Sequence, residues 1–308
     1  MKPWVRAADL IKNGASVGTI LRELGIKHSS LDRYVRYAKK DGLLPDNLTI
    51  RDDWFSEGDK LFGREAETSL ITTDLIFGDL HVPFHDIRAI KVMCQVIGDL
   101  RPDRIIENGD GLDCYLFSKF SKDPARAETF QREREIHGGI MKIIRDASPE
   151  SAYLYLGGDE DNHLQRYVKN IVWANNLSDV PELQIPGILY LEDDEYTEGP
   201  IFLRDTFRIS HGIRYGENST KLSMIDYMIS GLQNHSHRMG CYYRTTATHS
   251  YVYAQNGHMS DVDKAWKKHP NWQQGFSILY MRADGGFQIE QIPIVSHKAI
   301  FRGKLYKA

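Results

Sequence analysis

The sequence predicts a mixed α/β protein that carries a small all-α domain at its N-terminal end. Strand-like and helix-like segments alternate between residues 70 and 157, which is the pattern of a βαβ unit with parallel strands. From residue 200 onward strand-like runs dominate, and turn sequences separate them. A βαβ half followed by a strand-rich half predicts two packed sheets flanked by helices.

Length and composition indicate a globular protein. The chain has 308 residues, of which 41% are hydrophobic and 26% charged, enough for one large and one small domain. No apolar run reaches the ~18 residues that a membrane helix needs, and the first residues lack the apolar core of a signal peptide. We therefore expect a cytoplasmic location and no membrane partner. The sequence indicates no oligomeric state.

The first 45 residues differ in charge from the rest of the chain. They hold nine basic and four acidic side chains, whereas the whole chain has a formal net charge of −3. Helical spacing is found in Val5–Lys12, in a segment through Val17 and Leu24, and in a segment through Leu31 and Ala38. Gly25 ends the second helix, and Ser29 or Ser30 is predicted to cap the third. We predict a helix-turn-helix domain over residues 1–45, a linker over 46–69 and a larger domain over 70–308.

The small domain resembles the helix-turn-helix units of phage terminase small subunits and resolvases. In that geometry the last helix enters the major groove of DNA. The resemblance implies that nucleic acid is a partner and that it is contacted by His28, Ser30, Arg33, Arg36, Lys39 and Lys40. A three-helix protein-docking module and a solvated basic face are the alternatives.

The larger domain begins with clear βαβ signals. Its strands are predicted at Thr73–Phe77, Arg104–Glu107 and Ala152–Leu156, with an amphipathic helix at Asp86–Leu100. A long helix is predicted from Pro124 to about Ala147, capped by Asp123, with Ile136, Ile140, Ile143 and Ile144 inward. Further strands are predicted at Ile201–Ser210, Cys241–Thr248, Tyr251–Gln255, Phe276–Met281, Phe287–Val295 and Ala299–Leu305.

Five clusters of metal-ligating residue types follow in order along this domain. They are Gly78-Asp79-Leu80-His81, Gly109-Asp110-Gly111-Leu112-Asp113, Asp161-Asn162-His163, Ser210-His211-Gly212 and Asn234-His235-Ser236-His237. Most of them follow strand-like runs, and sites in parallel sheets lie beyond the carboxyl ends of the strands. Carboxylate oxygen combined with imidazole nitrogen suits ions such as Zn, Mn or Fe. The clusters therefore predict a metal site.

In type and order the clusters resemble the motifs of the calcineurin-like metallophosphoesterase superfamily, and most of all its phage-type members. The resemblance covers about residues 70–260 and implies a four-layer α-β-β-α sandwich with two divalent metal ions. Asp79, His81 and His237 would hold one ion, Asp110 would bridge, and Asn162, His211 and His235 would hold the second. Manganese is the expected metal, with Fe, Zn or Ni as alternatives. His163 would act as general acid, Asp113 would orient a ligand, and Arg166 would contact phosphate.

The third cluster departs from the family pattern and leaves two alignments open. The family has Asn-His directly after a glycine, whereas here Asp159, Glu160 and Asp161 intervene after Gly158. One alignment keeps Asn162 and His163 in a longer loop. The other makes Asp159 the metal ligand and puts Glu160 at the catalytic position.

The resemblance implies a metal-dependent phosphoric ester hydrolase. We expect a phosphodiesterase that acts on DNA or RNA, that is, a nuclease whose basic helix-turn-helix domain binds its substrate. A phosphomonoesterase acting on proteins or small molecules, and a metal-binding, DNA-binding protein with weakened catalysis, are the alternatives.

Overall fold

The structure is a computed structural model, and it describes residues 2–13, 15, 17–26, 28–45, 71–117, 128–157, 163–261 and 270–308. The chain divides into two compact units, Met1–Leu70 and Ile71–Ala308. The predicted linker over residues 46–69 lies outside the described residues.

The small unit contains three helices, α1 (Pro3–Lys12), α2 (Val17–Leu24) and α3 (His28–Lys40). Ala8, Ile20, Leu31 and Val35 belong to its buried core. Helix α3 begins at His28, so the prediction that Ser29 or Ser30 caps it was wrong, because both lie within its first turn.

The larger unit is built on a six-stranded sheet with the order β11-β10-β1-β2-β3-β4. Strands β1 to β4 are mutually parallel, whereas β10 runs antiparallel to β1 and β11. Their bounds are β1 Thr72–Phe77, β2 Arg104–Glu107, β3 Ala152–Gly157, β4 Tyr196–Glu198, β10 Gln274–Met281 and β11 Phe287–Ile294.

A second, five-stranded sheet has the order β5-β6-β7-β9-β8. Strands β6, β7 and β9 are parallel, with antiparallel strands at both edges. Their bounds are β5 Ile201–Leu203, β6 Phe207–Ser210, β7 Ser230–Gln233, β8 Gly240–Thr245 and β9 Ser250–Gln255. The short strand β7 was not predicted.

Two segments predicted as single strands are hairpins. Residues 201–210 turn at Arg204 and Asp205, both of which have positive φ, and so form β5 and β6. Residues 298–307 turn at Arg302 and Gly303 and form β12 (Lys298–Phe301) and β13 (Lys304–Lys307). Only two or three residues separate the apolar runs at each turn, so the sequence pattern did not divide the two segments.

Helices cover the outer faces of the two sheets. Helices α4 (Ile87–Leu100) and α5 (Phe130–Ala147) pack through one apolar core against the six-stranded sheet, and α8 (Ser219–Tyr227) covers the other sheet. Shorter helical segments are α6 His163–Tyr167, α7 Ile185–Leu189, Tyr115–Phe117, Val168–Val172, Trp173–Asn175, Pro181–Leu183 and Asp193–Glu195.

A second apolar core lies between the two sheets. It contains Ile76, Ile106 and Leu156 from the first sheet. Phe207, Ile209 and Leu232 come from the second. The α/β class and the four-layer order α-β-β-α predicted from the sequence are confirmed. Among the described helices, none is long and apolar enough to cross a bilayer.

The long helix differs from its prediction at both its start and its inner face. It begins at Phe130 with Thr129 as N-cap, because the Thr129 hydroxyl accepts the Arg132 N–H. Asp123 and Pro124 lie outside the described residues, while residues 128 and 129 are not helical. Ile140 and Ile144 are buried as predicted, but Ile143 is 47% exposed. The buried stripe runs instead through Glu133 and His137, whose polar side chains an apolar pattern cannot reveal.

Candidate metal centre

The predicted site residues that the structure describes lie beyond the carboxyl ends of parallel strands in both sheets. They follow strand ends in this order: Asp79 and His81 after β1, Asp110 and Asp113 after β2, His163 beyond β3, His211 after β6, and His235 and His237 after β7. Parallel strands place their carboxyl ends at one edge of a sheet. The two packed sheets therefore bring together side chains that lie far apart in the sequence, such as His81 and His237, which are 156 positions apart.

The first group of donor atoms comes from Asp79, His81 and His237. The Nε2 atoms of His81 and His237 are 3.0 Å apart. Asp79 Oδ1 lies 3.2 Å from His237 Nε2 and 3.8 Å from His81 Nε2. All three side chains are buried, so three donors converge on one small volume.

The second group comes from Asp110, His211 and His235. Asp110 Oδ2 lies 3.0 Å from His211 Nε2 and 3.8 Å from His81 Nε2 of the first group. The rings of His211 and His235 are 5.2 Å apart. The Asp110 carboxylate therefore lies between the two groups, where a bridging ligand would be required.

The arrangement fits divalent cations. His81 Nδ1 is hydrogen-bonded to Asp113 Oδ1 at 2.9 Å, so Nε2 is the atom that faces His237. At 3.0 Å the two ring nitrogens can share one N–H hydrogen bond, and without that proton they present two lone pairs to the same small volume. Asp79 Oδ1 and His211 Nε2 are also buried, and among the described residues their close contacts with His237 and Asp110 lack the geometry of a good hydrogen bond. A cation ligated by these atoms satisfies all of them, since metal binding replaces protons on the donor groups.

The electrostatics of the two carboxylates favour cation binding. Burial alone would raise the pKa of Asp79, but the positive charge and hydrogen bonding of His237 and neighbouring histidines hold that pKa well below its usual value. Asp110 behaves in the same way, and His211 is the largest opposing influence on its pKa. Burial lowers the pKa of His211, but the Asp110 charge outweighs it and raises that pKa to about 9. Both carboxylates are ionised at neutral pH.

Five of the candidate ligands have left-handed backbone conformations. The φ angles are 53° at Asp79, 48° at His81, 51° at Asp110, 72° at His235 and 60° at His237. Non-glycine residues adopt such angles at a cost of about 1–3 kcal/mol each, and they concentrate at functional sites. The tight turns after β1, β2 and β7 thus hold the ligands in unfavourable local geometry.

Two buried asparagines orient the ligands, and sequence reasoning missed both roles. Asn234 Nδ2 donates to Asp79 Oδ2 at 2.9 Å, while Asn234 Oδ1 accepts from Asn108 Nδ2 at 2.8 Å. The Asn108 carbonyl accepts from His211 Nδ1 at 2.8 Å, which directs Nε2 towards Asp110. The signal for Asn234 was its place in the sequence, directly before His235 in the fifth cluster. A Cβ at Gly78 would lie only 2.8 Å from Asn234 Nδ2, so the first cluster needs its glycine.

His163 lies at the site, at the start of α6. Its backbone N–H donates to Asp110 Oδ1 at 2.8 Å, and its Nδ1 is 2.7 Å from the Asp113 carbonyl oxygen. Its ring is 5.1 Å from that of His81. The exposed Arg166 follows one turn later on the same helix. Asn162 and Asp159, the rival ligands of the third cluster, lie outside the described residues.

A further histidine, His258, lies against the first group, although it belongs to none of the five sequence clusters. It is buried, stacks on His237 with ring centroids 5.2 Å apart, and hydrogen-bonds through Nδ1 to Ser260 Oγ at 2.7 Å. Burial lowers its pKa to about 3, so the ring is neutral. Trp272 contacts the same His237 ring, with centroids 4.4 Å apart. No motif marks either residue.

Comparisons with known proteins show only distant similarity. No family model and no curated protein matches the chain. Vps29 from Chaetomium thermophilum is 10% identical over 72% of this chain and 97% of that one, with a TM-score of 0.36. Vps29 from Cryptosporidium parvum is 11% identical over 77% and 95%, with a TM-score of 0.38. YfcE, a phosphoesterase from E. coli, is 10% identical over 73% and 100%, with a TM-score of 0.35. Scores at this level carry no functional argument, so function must come from the side chains.

Proposed function

We propose that this protein is a calcineurin-like metallophosphoesterase of the phage type, which hydrolyses phosphate esters with two divalent metal ions. One observation carries the proposal, namely the position of the buried Asp110 carboxylate between the two donor groups. Two ions that share a carboxylate supply charge that polarises a phosphate ester and makes water a better nucleophile. Manganese is the metal we expect, because mixed imidazole and carboxylate ligation suits it and its availability governs loading.

The protein side chains divide into ligands and orienting groups. Asp79, His81 and His237 would hold one ion, and His211 and His235 would hold the other, with Asp110 shared. Asp113 fixes the His81 ring through its hydrogen bond to Nδ1, which leaves Nε2, the atom that faces His237, to hold the ion. We place Asn162 as the remaining ligand of the second ion, since the alignment that includes it also puts His163 at the site.

His163 is the proposed general acid. Because its Nδ1–H donates to the Asp113 carbonyl, Nε2 is the ring atom left to reach a substrate oxygen. The side chain is 26% exposed, so it borders both the buried ligands and solvent. Proton transfer from Nε2 to the leaving oxygen would contribute about 10²-fold or more to the rate. Arg166, one turn further along α6, would attract phosphate through its guanidinium group.

The proposed substrate class is nucleic acid. The support comes from the small unit, where Leu31, Val35 and Ala38 of α3 are buried while Arg33, Arg36 and Lys40 are exposed. An exposed basic helix face binds phosphate backbones through charge. We assign nucleic-acid contact to this face of α3, together with Ser30, Lys39 and His28.

The test is cleavage of end-labelled single- and double-stranded DNA by the full chain with Mn²⁺, beside a chelator control and a small aryl phosphodiester. We expect chelator-sensitive cleavage that Asp110→Asn abolishes and His163→Ala slows by about 10²-fold. The control Asp99→Asn removes an exposed carboxylate that pairs with Lys304 and should leave the rate unchanged.

Each alternative has its own outcome in this experiment. If an aryl phosphomonoester assayed beside the diester is hydrolysed while neither the diester nor DNA is cleaved, a phosphomonoesterase replaces the nuclease. Stoichiometric metal without turnover of any ester would identify a metal-binding protein that has lost catalysis. An unchanged rate in His163→Ala with an inactive Asp159→Ala would favour the other alignment.

A further inference from the structure

Among the described residues of the candidate metal centre, the two that solvent reaches most are His163 and His235. The side chains of Asp79, His81, Asp110, His211 and His237 are at most 5% exposed. His163 is 26% exposed, and His235 is half-buried. A phosphate ester that enters through the described part of the site therefore passes beside these two histidines, and groups attached to the phosphate lie next to one or the other.

Tyr215 lies beside the opening on the His235 side. Its ring centroid is 6.4 Å from that of His235, with an angle of 68° between the ring planes. The Tyr215 residue is 75% exposed, and Ile213 in the same loop is 45% exposed. The loop follows directly from the candidate ligand His211. An apolar and aromatic surface therefore borders the entrance of an otherwise polar site.

The backbone beneath Tyr215 is held from both sides. Arg238, the residue after His237, donates from Nη1 to the Tyr215 carbonyl oxygen at 2.5 Å. The neighbouring Arg214 pairs through its guanidinium with Asp226 of α8. These contacts fix the loop relative to the ligands while the tyrosine ring itself remains in solvent. A fixed aromatic ring offers a stacking surface at little cost in conformational entropy.

We propose that Tyr215 is a stacking platform for a nucleobase attached to the phosphate that enters the site. The inference rests on the proposed function and refines it, because it makes nucleotide esters the preferred substrates. Nucleobases stack on aromatic side chains irrespective of sequence, so the platform would select for a base without selecting which base. Trp272 does not compete for this role, because its ring packs on His237 and His258.

The experiment compares two ligands that cannot be hydrolysed and that differ in the base. One is a thymidine 5′-phosphonate in which carbon replaces the bridging oxygen, and the other is ethylphosphonate. Binding to the Mn²⁺-loaded full chain is measured by titration calorimetry. We expect the wild type to bind the thymidine ligand about tenfold more tightly, since stacking of one base accounts for a factor of this size.

Variants assign the preference to one ring. Tyr215→Ala should abolish the tenfold preference without weakening ethylphosphonate binding, whereas Tyr215→Phe should keep it. Tyr243→Ala is the matched control. Tyr243 is 71% exposed, like Tyr215, but it lies within the edge strand β8, six positions after the candidate ligand His237. It should also keep the preference. Equal binding of both ligands by the wild type, or a preserved preference in Tyr215→Ala, overturns the proposal.

Turnover separates this proposal from the proposed hydrolysis. Thymidine 5′-(p-nitrophenyl phosphate) and methyl p-nitrophenyl phosphate release the same product, but only the first carries a base. Equal turnover of both esters together with equal binding of both phosphonates would refute the base platform and retain the hydrolase. A base preference lost in Tyr215→Ala, with turnover of neither ester, would retain the platform and refute hydrolysis.

Discussion

Replacing Asn234 by alanine should weaken metal binding without removing any ligand. The Asn234 amide donates to Asp79 Oδ2 and accepts from Asn108, so it fixes the plane of the Asp79 carboxylate. In Asn234→Ala that carboxylate keeps its charge but loses its orientation. Changes to residues that orient ligands typically cost 10- to 100-fold in metal affinity, which corresponds to about 1.4–2.8 kcal/mol.

The assay is the rise in melting temperature when Mn²⁺ is added in excess. Ligand binding to the folded state adds a stability that falls by the same 1.4–2.8 kcal/mol when affinity falls. For a unit of this size each kcal/mol moves the melting temperature by about 2–4 °C. We therefore expect the Mn²⁺-induced rise to shrink by roughly 3–11 °C. Because the metal-free variant is measured too, stability lost through the missing hydrogen bonds cancels from the difference.

The control for this prediction is Asp74→Asn, which weakens a buried ion pair at the other end of β1. Asp74 is fully buried and bonds to Arg104 through both carboxylate oxygens, at 2.7 and 2.8 Å. It should lower the melting temperature equally with and without Mn²⁺. An Asn234→Ala variant with the full Mn²⁺-induced rise, and unchanged affinity in competition with a chelating dye, would refute the orienting role.

Three further predictions concern packing, pH and the small unit. Gly111→Ala should lower the free energy of unfolding by about 1–3 kcal/mol in urea melts, because its Cβ would collide with Glu107 Oε1. The control Gly138→Ala has open space around its Cβ and should not lower that free energy. Burial, aided by the Asp113 charge, raises the pKa of Glu133 to about 8 from the usual 4.5. The folded protein therefore retains a proton that the unfolded chain releases, so stability should fall by up to about 1.4 kcal/mol per pH unit between those values. Urea melts across that range should show the slope in the wild type and its loss in Glu133→Gln; an equal slope in both would contradict the assignment. Removing residues 1–45 should weaken DNA binding in a salt-dependent manner while hydrolysis of a small diester stays unchanged. If the truncated protein binds DNA as tightly as the full chain, the small unit has another role.

Local sequence patterns predicted strands β1, β2 and β3 and helix α4 of the larger unit correctly. They failed for segments whose conformation depends on contacts with distant parts of the chain. Strand β2 and helix α4 have apolar periodicity that matches their burial, and Arg104–Glu107 was predicted with the bounds observed. Helix α8 and strand β7 were not predicted, because Ser223, Ser230 and Gln233 are buried polar residues that interrupt any apolar pattern. Their hydrogen-bond partners lie elsewhere in the chain, as for Gln233 with Gln255.

The site shows the same division between local and distant information. Residue types and their order predicted which side chains could bind metal, since ligand chemistry is a property of each side chain. Their convergence could not be derived from the spacing. The Asp79 N–H donates to the Gly109 carbonyl and the His81 N–H to the Asp110 carbonyl, so the turn after β1 is held by the turn after β2.

The turns after β1 and β2 depend on each other because several ligands in them have left-handed backbone conformations. Asp79, His81 and Asp110 would each relax to an ordinary conformation in an isolated turn, because a positive φ is unfavourable without glycine. Hydrogen bonds between the two turns oppose that relaxation, and the parallel pairing of β1 with β2 sets their registration. Glycines allow the close approach, since a Cβ at Gly78 would meet the Asn108 carbonyl at 3.0 Å. The ligand geometry is thus a property of the paired turns, and a change in either turn should disturb donor atoms on both.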